Sequence, residues 1–100
     1  MRDQTPIAVC SRSFSKTREL REALLASYSN VRFNDAGSSL RGQSLVEFLD
    51  GMEKAIVGLE VIDEALLTRL PALRVIAKYG VGLDRISFDA LERHGVRLGW

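Results

Sequence analysis

The chain has 100 residues, which is within the usual size of a single domain. Its 46% hydrophobic and 27% charged residues are typical of a folded globular protein, which argues against a disordered or fibrous chain. The 14 basic and 13 acidic residues are scattered along the chain, so no nucleic-acid or membrane surface is predicted. Cys10 is the only cysteine, which excludes an internal disulfide and a cysteine-based zinc site.

The first third of the chain predicts a strand, a helix and a second strand. Residues 7–10 are an unbroken apolar run, which is typical of a strand covered on both faces. Residues 16–28 place apolar side chains at helical spacing, and residues 31–33 alternate as in a half-exposed strand near a sheet edge.

The middle of the chain predicts a loop, a helix and a third strand. Residues 35–42 are rich in glycine and serine and therefore predict a loop. Ser44 and Glu47 have the spacing of a capping box, which predicts the start of a helix that ends near Gly51. The apolar residues 55–57 follow as the third strand.

The last third predicts two capped helices around a fourth strand. Asp63 has the side chain of a helix N-cap, and Pro71 ends the helix that follows. Residues 73–77 predict the fourth strand. Ser87 caps the fourth predicted helix, and Gly95 occupies the position where a left-handed C-terminal glycine is expected.

Five strands, the last at residues 96–100, alternate with four helices through short connections. This order predicts an α/β fold with a flavodoxin-like, doubly wound, parallel five-stranded sheet. That architecture normally has a fifth helix after the fifth strand, and this covering helix is missing. Part of one apolar sheet face is therefore expected to be bare, so the chain is expected to be a fragment or to need a partner.

The segment after the fourth strand is the first candidate site. Gly80, Val81 and Gly82 form a loop in which two glycines allow backbone N–H groups to face an anion such as a carboxylate or phosphate. The spacing alone also fits a simple turn. It is not a dinucleotide fingerprint, because the third glycine of GxGxxG is absent.

The loop after the first strand is the second candidate. Arg12 and Ser13 lie within residues 11–15, which offer hydroxyl groups and a guanidinium at a helix start and so suggest another anion site. The alternative is a serine cap at Ser13 or Ser15 beside a solvated Arg12. Residues 58–60 end at the same sheet edge and are expected to line the same cleft.

Two residues that often carry chemistry are assigned no catalytic role. His94 lies in the last turn of the fourth predicted helix, where the helix dipole favours a histidine, so a structural surface role is expected. Cys10 ends a buried strand and is expected to be an inert apolar side chain.

A longer motif surrounds the glycine loop. Residues 70–86 read LPALRVIAKYGVGLDRI and are followed by a helix and HGVRLGW at residues 94–100. This string resembles the substrate domain of the D-isomer-specific 2-hydroxyacid dehydrogenases, the phosphoglycerate dehydrogenase superfamily. The resemblance is looser at residues 57–67 and 11–14, and residues 30–54 carry little family signal.

The resemblance implies that residues 1–100 are the flavodoxin-like substrate domain, the N-terminal portion of a larger two-domain enzyme. Such an enzyme is an NAD(P)-dependent oxidoreductase acting on the CH–OH group of a small 2-hydroxy acid, of which an acid similar to 3-phosphoglycerate is one example. NAD or NADP would be bound by a separate Rossmann domain, absent here. The family's catalytic arginine, glutamate and histidine are absent too, so neither catalytic nor cofactor-binding residues are expected in this chain, and alone it is expected to be inactive.

The resemblance also implies roles for individual residues. Backbone N–H groups of Val81 and Gly82 would hold the substrate carboxylate, Lys78 stands where many relatives carry a basic residue, and Tyr79 would shape the pocket. Arg12 would touch a substrate phosphate or carboxylate.

The alternative is a stand-alone flavodoxin-like ligand-binding or dimerisation module without catalysis. A phosphoacceptor receiver is excluded, because the loop after the first strand holds serine and arginine and the third strand ends at Gly58. We further expect a homodimer, no metal, and a cytoplasmic location, because no apolar run approaches the roughly 20 residues that cross a bilayer.

Overall fold

Strands and helices alternate along the chain in the computed structural model, which describes residues 2–80 and 82–99. The elements, in order, are β1 (Ile7–Val9), α1 (Arg12–Lys16), α2 (Arg18–Ser27), β2 (Val31–Phe33), α3 (Gln43–Leu49), β3 (Lys54–Val57), α4 (Glu64–Thr68), β4 (Val75–Lys78), α5 (Phe88–Arg93) and β5 (Arg97–Gly99). No helix within the described residues has the length and apolarity needed to span a membrane.

The five strands form one sheet in the order β2-β1-β3-β4-β5, and every pairing is parallel. Val9 is in register with Phe33 on one side and with Ile56 on the other. The chain therefore runs outward from β1 to β2 and then crosses back past β1 to β3. This is the doubly wound α/β topology that the sequence predicted, and the fold class is confirmed.

One side of the sheet carries the main core. Helices α3, α4 and α5 bury leucine side chains on it, among them Leu45, Leu49 and Leu67, against the alternate strand residues that include Val57 and Ile76. All five of these side chains are almost completely inaccessible to solvent. The largest apolar contribution to folding therefore comes from this side.

The other side, under α1 and α2, is covered less completely. Helix α2 buries none of its residues, and neither helix contributes to the main core cluster. Val9 is buried here, but Ile56, Val75 and Ala77 are only half-buried. The sequence predicted that part of one sheet face is bare, and these strand residues on the α1 and α2 side are partly accessible.

The start of the first helical region differs from the prediction. Where one helix over residues 16–28 was expected, the chain forms α1 and α2, which meet at Thr17 in an extended conformation. Helix α1 is capped by Ser11, whose Oγ accepts a hydrogen bond from the Phe14 N–H at 3.1 Å. The cap at Ser13 or Ser15, which the sequence left open as an alternative, is therefore wrong.

Of the other caps predicted at helix N-termini, two are confirmed and one is wrong. Asp63 Oδ1 accepts from the Leu66 N–H at 3.0 Å, and Ser87 Oγ accepts from the Ala90 N–H at 3.3 Å. Ser44 caps nothing: its Oγ donates to the Arg41 carbonyl at 2.8 Å and accepts from the Arg41 N–H at 3.0 Å, so the capping-box prediction is wrong.

Candidate functional site

A cavity of about 650 Å³ opens at the carboxyl ends of the strands. Loops after β1, β2, β3 and β4 all contribute to it. The lining residues are Ser11, Arg12, Ser13, Ser39, Leu40, Arg41, Gly58, Leu59, Glu60, Val61, Lys78, Tyr79, Gly80 and Arg85.

The topology explains why the cavity lies here. Because the chain leaves β1 toward one edge and returns to β3 on its other side, the loops after β1 and β3 diverge and leave a crevice, the usual ligand position in such sheets. At the base of the crevice Gly58 lies beside Ser11: a Cβ on Gly58 would be 3.4 Å from Ser11 Cβ and Oγ, which is an ordinary van der Waals contact. Ser11 is itself buried.

The glycine loop leaves β4 with a backbone that favours glycine. Gly80 has φ of 106° and Gly82 has φ of 89°, so an L side chain at either position would be strained. A Cβ on Gly82 would also approach Asp84 Oδ1 to 3.2 Å. Gly80 lines the cavity, whereas Gly82 does not. Val81 lies outside the described residues.

Lys78 is a buried lysine at the end of β4. It follows Ile76 on the core side of the sheet, and only 9% of it is exposed. Its Nζ donates to the Tyr79 carbonyl at 3.4 Å and would lie 3.9 Å from a Cβ on Gly80. No carboxylate of the described residues forms a salt bridge with it, so its ammonium is available to a ligand beside the glycine loop.

Tyr79 connects the glycine loop to α1. Its N–H donates to the Val57 carbonyl at 2.8 Å, and its ring meets that of Phe14 edge-on, with centroids 5.3 Å apart. This aromatic contact holds α1 against the end of β4. It places Arg12 and Ser13, which are both exposed, on the cavity wall.

Glu60 is the one acidic residue among the described residues that line the cavity. It is buried, and its Oε1 accepts a hydrogen bond from the Gly58 N–H at 2.7 Å. Its carboxylate thus fixes the turn after β3. Burial, with a smaller effect of the Glu60 charge, raises the pKa of the nearby Cys10 thiol far above its ordinary value, so Cys10 is not an activated nucleophile.

The structure brings most of the predicted site residues together. Arg12, Ser13, Lys78, Tyr79 and Gly80 share the cavity. Sequence reasoning missed Ser39, Arg41 and Arg85. The only available signal was topological: residues 35–42 follow β2 and therefore end at the same sheet edge.

His94 lies elsewhere, on the surface between α4 and α5. Its Nε2 pairs with the Glu64 carboxylate, which also accepts from Arg93 Nε at 2.8 Å. The hydrogen bond from His94, and next that from Arg93, lower the pKa of Glu64 from 4.5 to about 2. No group of histidine, cysteine or acidic residues suited to a metal ion occurs in the described part of the chain.

The structure is a doubly wound α/β domain with a parallel sheet and a cavity lined by basic side chains at the carboxyl ends of its strands. Residues 7–99 match the family model described as D-isomer specific 2-hydroxyacid dehydrogenase, catalytic domain. The chain belongs to this family. No curated protein matches it in sequence at a significant level.

Solved structures with the same fold include three oxidoreductases. A putative D-isomer specific 2-hydroxyacid dehydrogenase from Polaromonas sp. JS6 66 has a TM-score of 0.85 at 22% identity, covering 96% of this chain and 30% of that one. The 3-phosphoglycerate dehydrogenase from Entamoeba histolytica, bound to NAD+, has a TM-score of 0.76 at 20% identity, covering 96% of this chain and 32% of that one. The phosphoglycerate oxidoreductase from Vibrio Cholerae o395 has a TM-score of 0.73 at 24% identity, covering 96% of this chain and 31% of that one. The chain thus spans about 30% of the length of these neighbours.

Proposed function

We propose that this chain is the substrate-binding half of an NAD(P)-dependent D-2-hydroxyacid dehydrogenase, which oxidises the CH–OH group of a small 2-hydroxy acid. The supporting observation is the cavity at the carboxyl edge, where Gly80 and the buried ammonium of Lys78 lie side by side. Family membership supports the oxidoreductase class.

In this proposal the substrate carboxylate binds at the glycine loop. We expect backbone N–H groups of Val81 and Gly82 to bind this anion, as the family resemblance implies, and Lys78 Nζ to supply a charge-assisted hydrogen bond. Arg12, Ser13 and Tyr79 contact the rest of the acid from the α1 side. The chain therefore binds and orients the substrate.

Hydride transfer needs a nicotinamide, and the residues of this chain do not fit that cofactor. The sequence has no GxGxxG, and Gly80 to Gly82 lacks the third glycine. We assign NAD or NADP to a partner Rossmann domain and no hydride or proton step to this chain. Tested alone, the 100-residue chain is expected to be inactive. The free buried Cys10 is compatible with a cytoplasmic location.

The site is tested by replacing Lys78 with methionine. Removing a charge-assisted hydrogen bond of about 1.5–3 kcal/mol is expected to weaken binding of D-lactate or D-glycerate by roughly tenfold or more. An amide NMR titration of the chain measures the dissociation constant and shows whether the Gly80 and Gly82 signals shift.

Lys16→Met is the matched control, because Lys16 is exposed on α1 and does not line the cavity. Its affinity should equal that of the unmodified chain. Signals at Gly80 and Gly82 that stay still while either acid is raised to saturating concentration would rule out the carboxylate site.

A dimerisation module without catalysis is the second candidate. The half-buried Ile56 and Val75, together with exposed Leu25 on α2, favour it, since they leave apolar surface on one side. It predicts a tight dimer by sedimentation and no response to any hydroxy acid. A homodimer that also binds the acid fits the first proposal.

A further inference from the structure

A second, smaller cavity lies between α3 and α4, on the side of the sheet that carries the main core. Its volume is about 280 Å³, and it is formed by the two helices, the chain just before each of them, and Arg69 just after α4. Of its lining residues, only Arg41 and Val61 also line the cavity at the carboxyl ends of the strands. This α3–α4 groove is therefore a separate site that adjoins the first cavity.

The groove is open because α3 and α4 are not joined to each other. Helix α4 packs against α5 and is linked to it by Glu64, which pairs with Arg93 and His94. Helices α3 and α4 make few direct contacts, and within the described residues no salt bridge connects them. Both helices bury leucines toward the sheet, and the space between their outer parts is left to solvent.

The base and walls of the groove are largely apolar. Leu45 and Leu66 are almost completely buried and form the base, and Val46 is half-buried beside them. Val61, at 46% exposed, and the exposed Ala65 leave apolar surface facing water. A ligand with an apolar body would remove this surface from water, which favours binding.

The charged groups of the groove leave one positive charge without a counterpart. Arg41 and Arg69 line it, and neither guanidinium bonds to a carboxylate among the described residues. The one acidic residue of the groove, Asp63, already accepts a hydrogen bond from the Leu66 N–H through Oδ1 at 3.0 Å. Two formal positive charges against one negative charge are matched by a ligand with a single negative charge.

The volume limits the size of that ligand. About 280 Å³ is close to the lower end of small-molecule sites, which begin near roughly 300 Å³. The groove therefore fits a single ring or a short chain and is too small for a dinucleotide.

We propose that the α3–α4 groove is a second ligand site, which binds a small monocarboxylate with an apolar body. Arg69 and Arg41 bind the carboxylate, and the apolar body covers Val61 and Ala65. The site lies outside the proposed substrate site at the glycine loop, so it does not depend on the proposed function.

The test compares three probes that separate the two features of the ligand. Benzoate has both a ring and a charge, benzamide has the ring without the charge, and acetate has the charge without the ring. Each is titrated into the 100-residue chain, with amide NMR as the readout. Benzoate should shift the amides of Leu45, Val46, Ala65 and Leu66, and it should bind roughly fivefold more tightly than either of the other probes.

Arg69→Gln tests the charged part of the groove. It should weaken benzoate binding by only about fivefold, because Arg69 is exposed and water screens its charge, and should leave benzamide binding unchanged. Arg97→Gln is the matched control, since Arg97 is exposed on β5 outside both cavities and the charge change is the same. It should leave the affinity for benzoate unchanged.

Ala65→Leu tests the apolar part. The larger side chain should fill the groove and abolish the benzoate shifts, while leucine remains a good helix former at this exposed position. Ala26→Leu, at an exposed position of α2, is the matched control and should bind benzoate as the unmodified chain does.

Three results would overturn the inference. Benzoate shifts confined to Gly80 and Gly82 would place the probe in the first cavity, which leaves the carboxylate site standing and the groove wrong. Equal affinities for benzoate and benzamide would show that the arginines bind no carboxylate. Equal losses in Arg69→Gln and Arg97→Gln would show a general charge effect. Conversely, benzoate binding in the groove with no response of the glycine loop to D-lactate or D-glycerate would refute the proposed function alone.

Discussion

The two sides of the sheet are built differently. On the side of α3, α4 and α5, helix leucines close over alternate strand residues, and the packing is apolar. On the side of α1 and α2, the contacts are largely polar or aromatic: Ser15 bonds to neighbouring backbone, Arg21 lies 3.9 Å over the Phe33 ring, and Phe14 meets Tyr79. The difference indicates that one side provides most of the stability, while the other positions α1 at the cavity.

The largest expected effect is on the free energy of unfolding, when one leucine on each side of the sheet is replaced by alanine. Leu67 of α4 is 2% exposed, and Leu67→Ala is expected to lower the free energy of unfolding by about 3 kcal/mol through lost burial and a cavity. Leu24→Ala, at a half-buried position of α2, should cost only about 1 kcal/mol. Urea denaturation measures both, and equal losses would contradict the division between the two sides.

A smaller effect is expected from the polar contacts of the α1 side. Ser15 Oγ donates to the Val9 carbonyl at 3.4 Å and accepts from the Asn34 N–H at 3.0 Å. Ser15→Ala removes both, and a loss of about 1 kcal/mol is expected. Ser13→Ala is the control for the same helix, since Ser13 is exposed, and should leave the urea midpoint nearly unchanged. Equal midpoints for the two variants would show that Ser15 does not hold β1 and β2 together.

The smallest effect concerns the ion pairs that join α4 to α5. Because the pKa of Glu64 falls from 4.5 to about 2 on folding, its stabilising contribution is complete above pH 4.5 and is lost as the pH falls toward 2. Glu64→Gln should therefore be less stable than the unmodified chain near pH 6, and the difference should shrink toward pH 2.

Glu92→Gln serves as the comparison for this pH series, because Glu92 is exposed on α5 and has no bonded partner among the described residues. Its stability difference from the unmodified chain should change little over the same range. Thermal unfolding across the pH series measures both variants, and a constant difference for Glu64→Gln would contradict the assigned coupling.

The strands and the fold class were predictable because continuous apolar runs such as residues 7–10 mark buried parallel strands, and their alternation with helices restricts the topology. Helix α1 was not predictable, because RSFSK has no apolar periodicity and depends on the Ser11 cap. Ser44 was misread, because the same hydroxyl that fits a capping box also satisfies a backward bond to Arg41.

The site was predictable where a local motif exists and not where loops from distant positions meet. The glycine loop and Arg12 follow strands directly, so the sheet-edge rule locates them. Arg41 is separated from β2 by a loop whose path depends on Asn34, and a single sequence does not reveal that side chain's long-range bonds. Arg85 is brought near by the bridge between Ile62 and Ile86.

The buried amide of Asn34 also has a mechanical consequence. It links the end of β1, through the Cys10 carbonyl, to the turn at Ser38, while the Asn34 backbone N–H bonds to the Val9 carbonyl at 3.1 Å. Hydrogen bonds at Asn34 therefore connect the loop that leads to Arg41 with the pairing of β2 and β1. Displacing that loop would require breaking hydrogen bonds that also hold β2 to β1, so the position of this cavity wall is coupled to the pairing of the two strands.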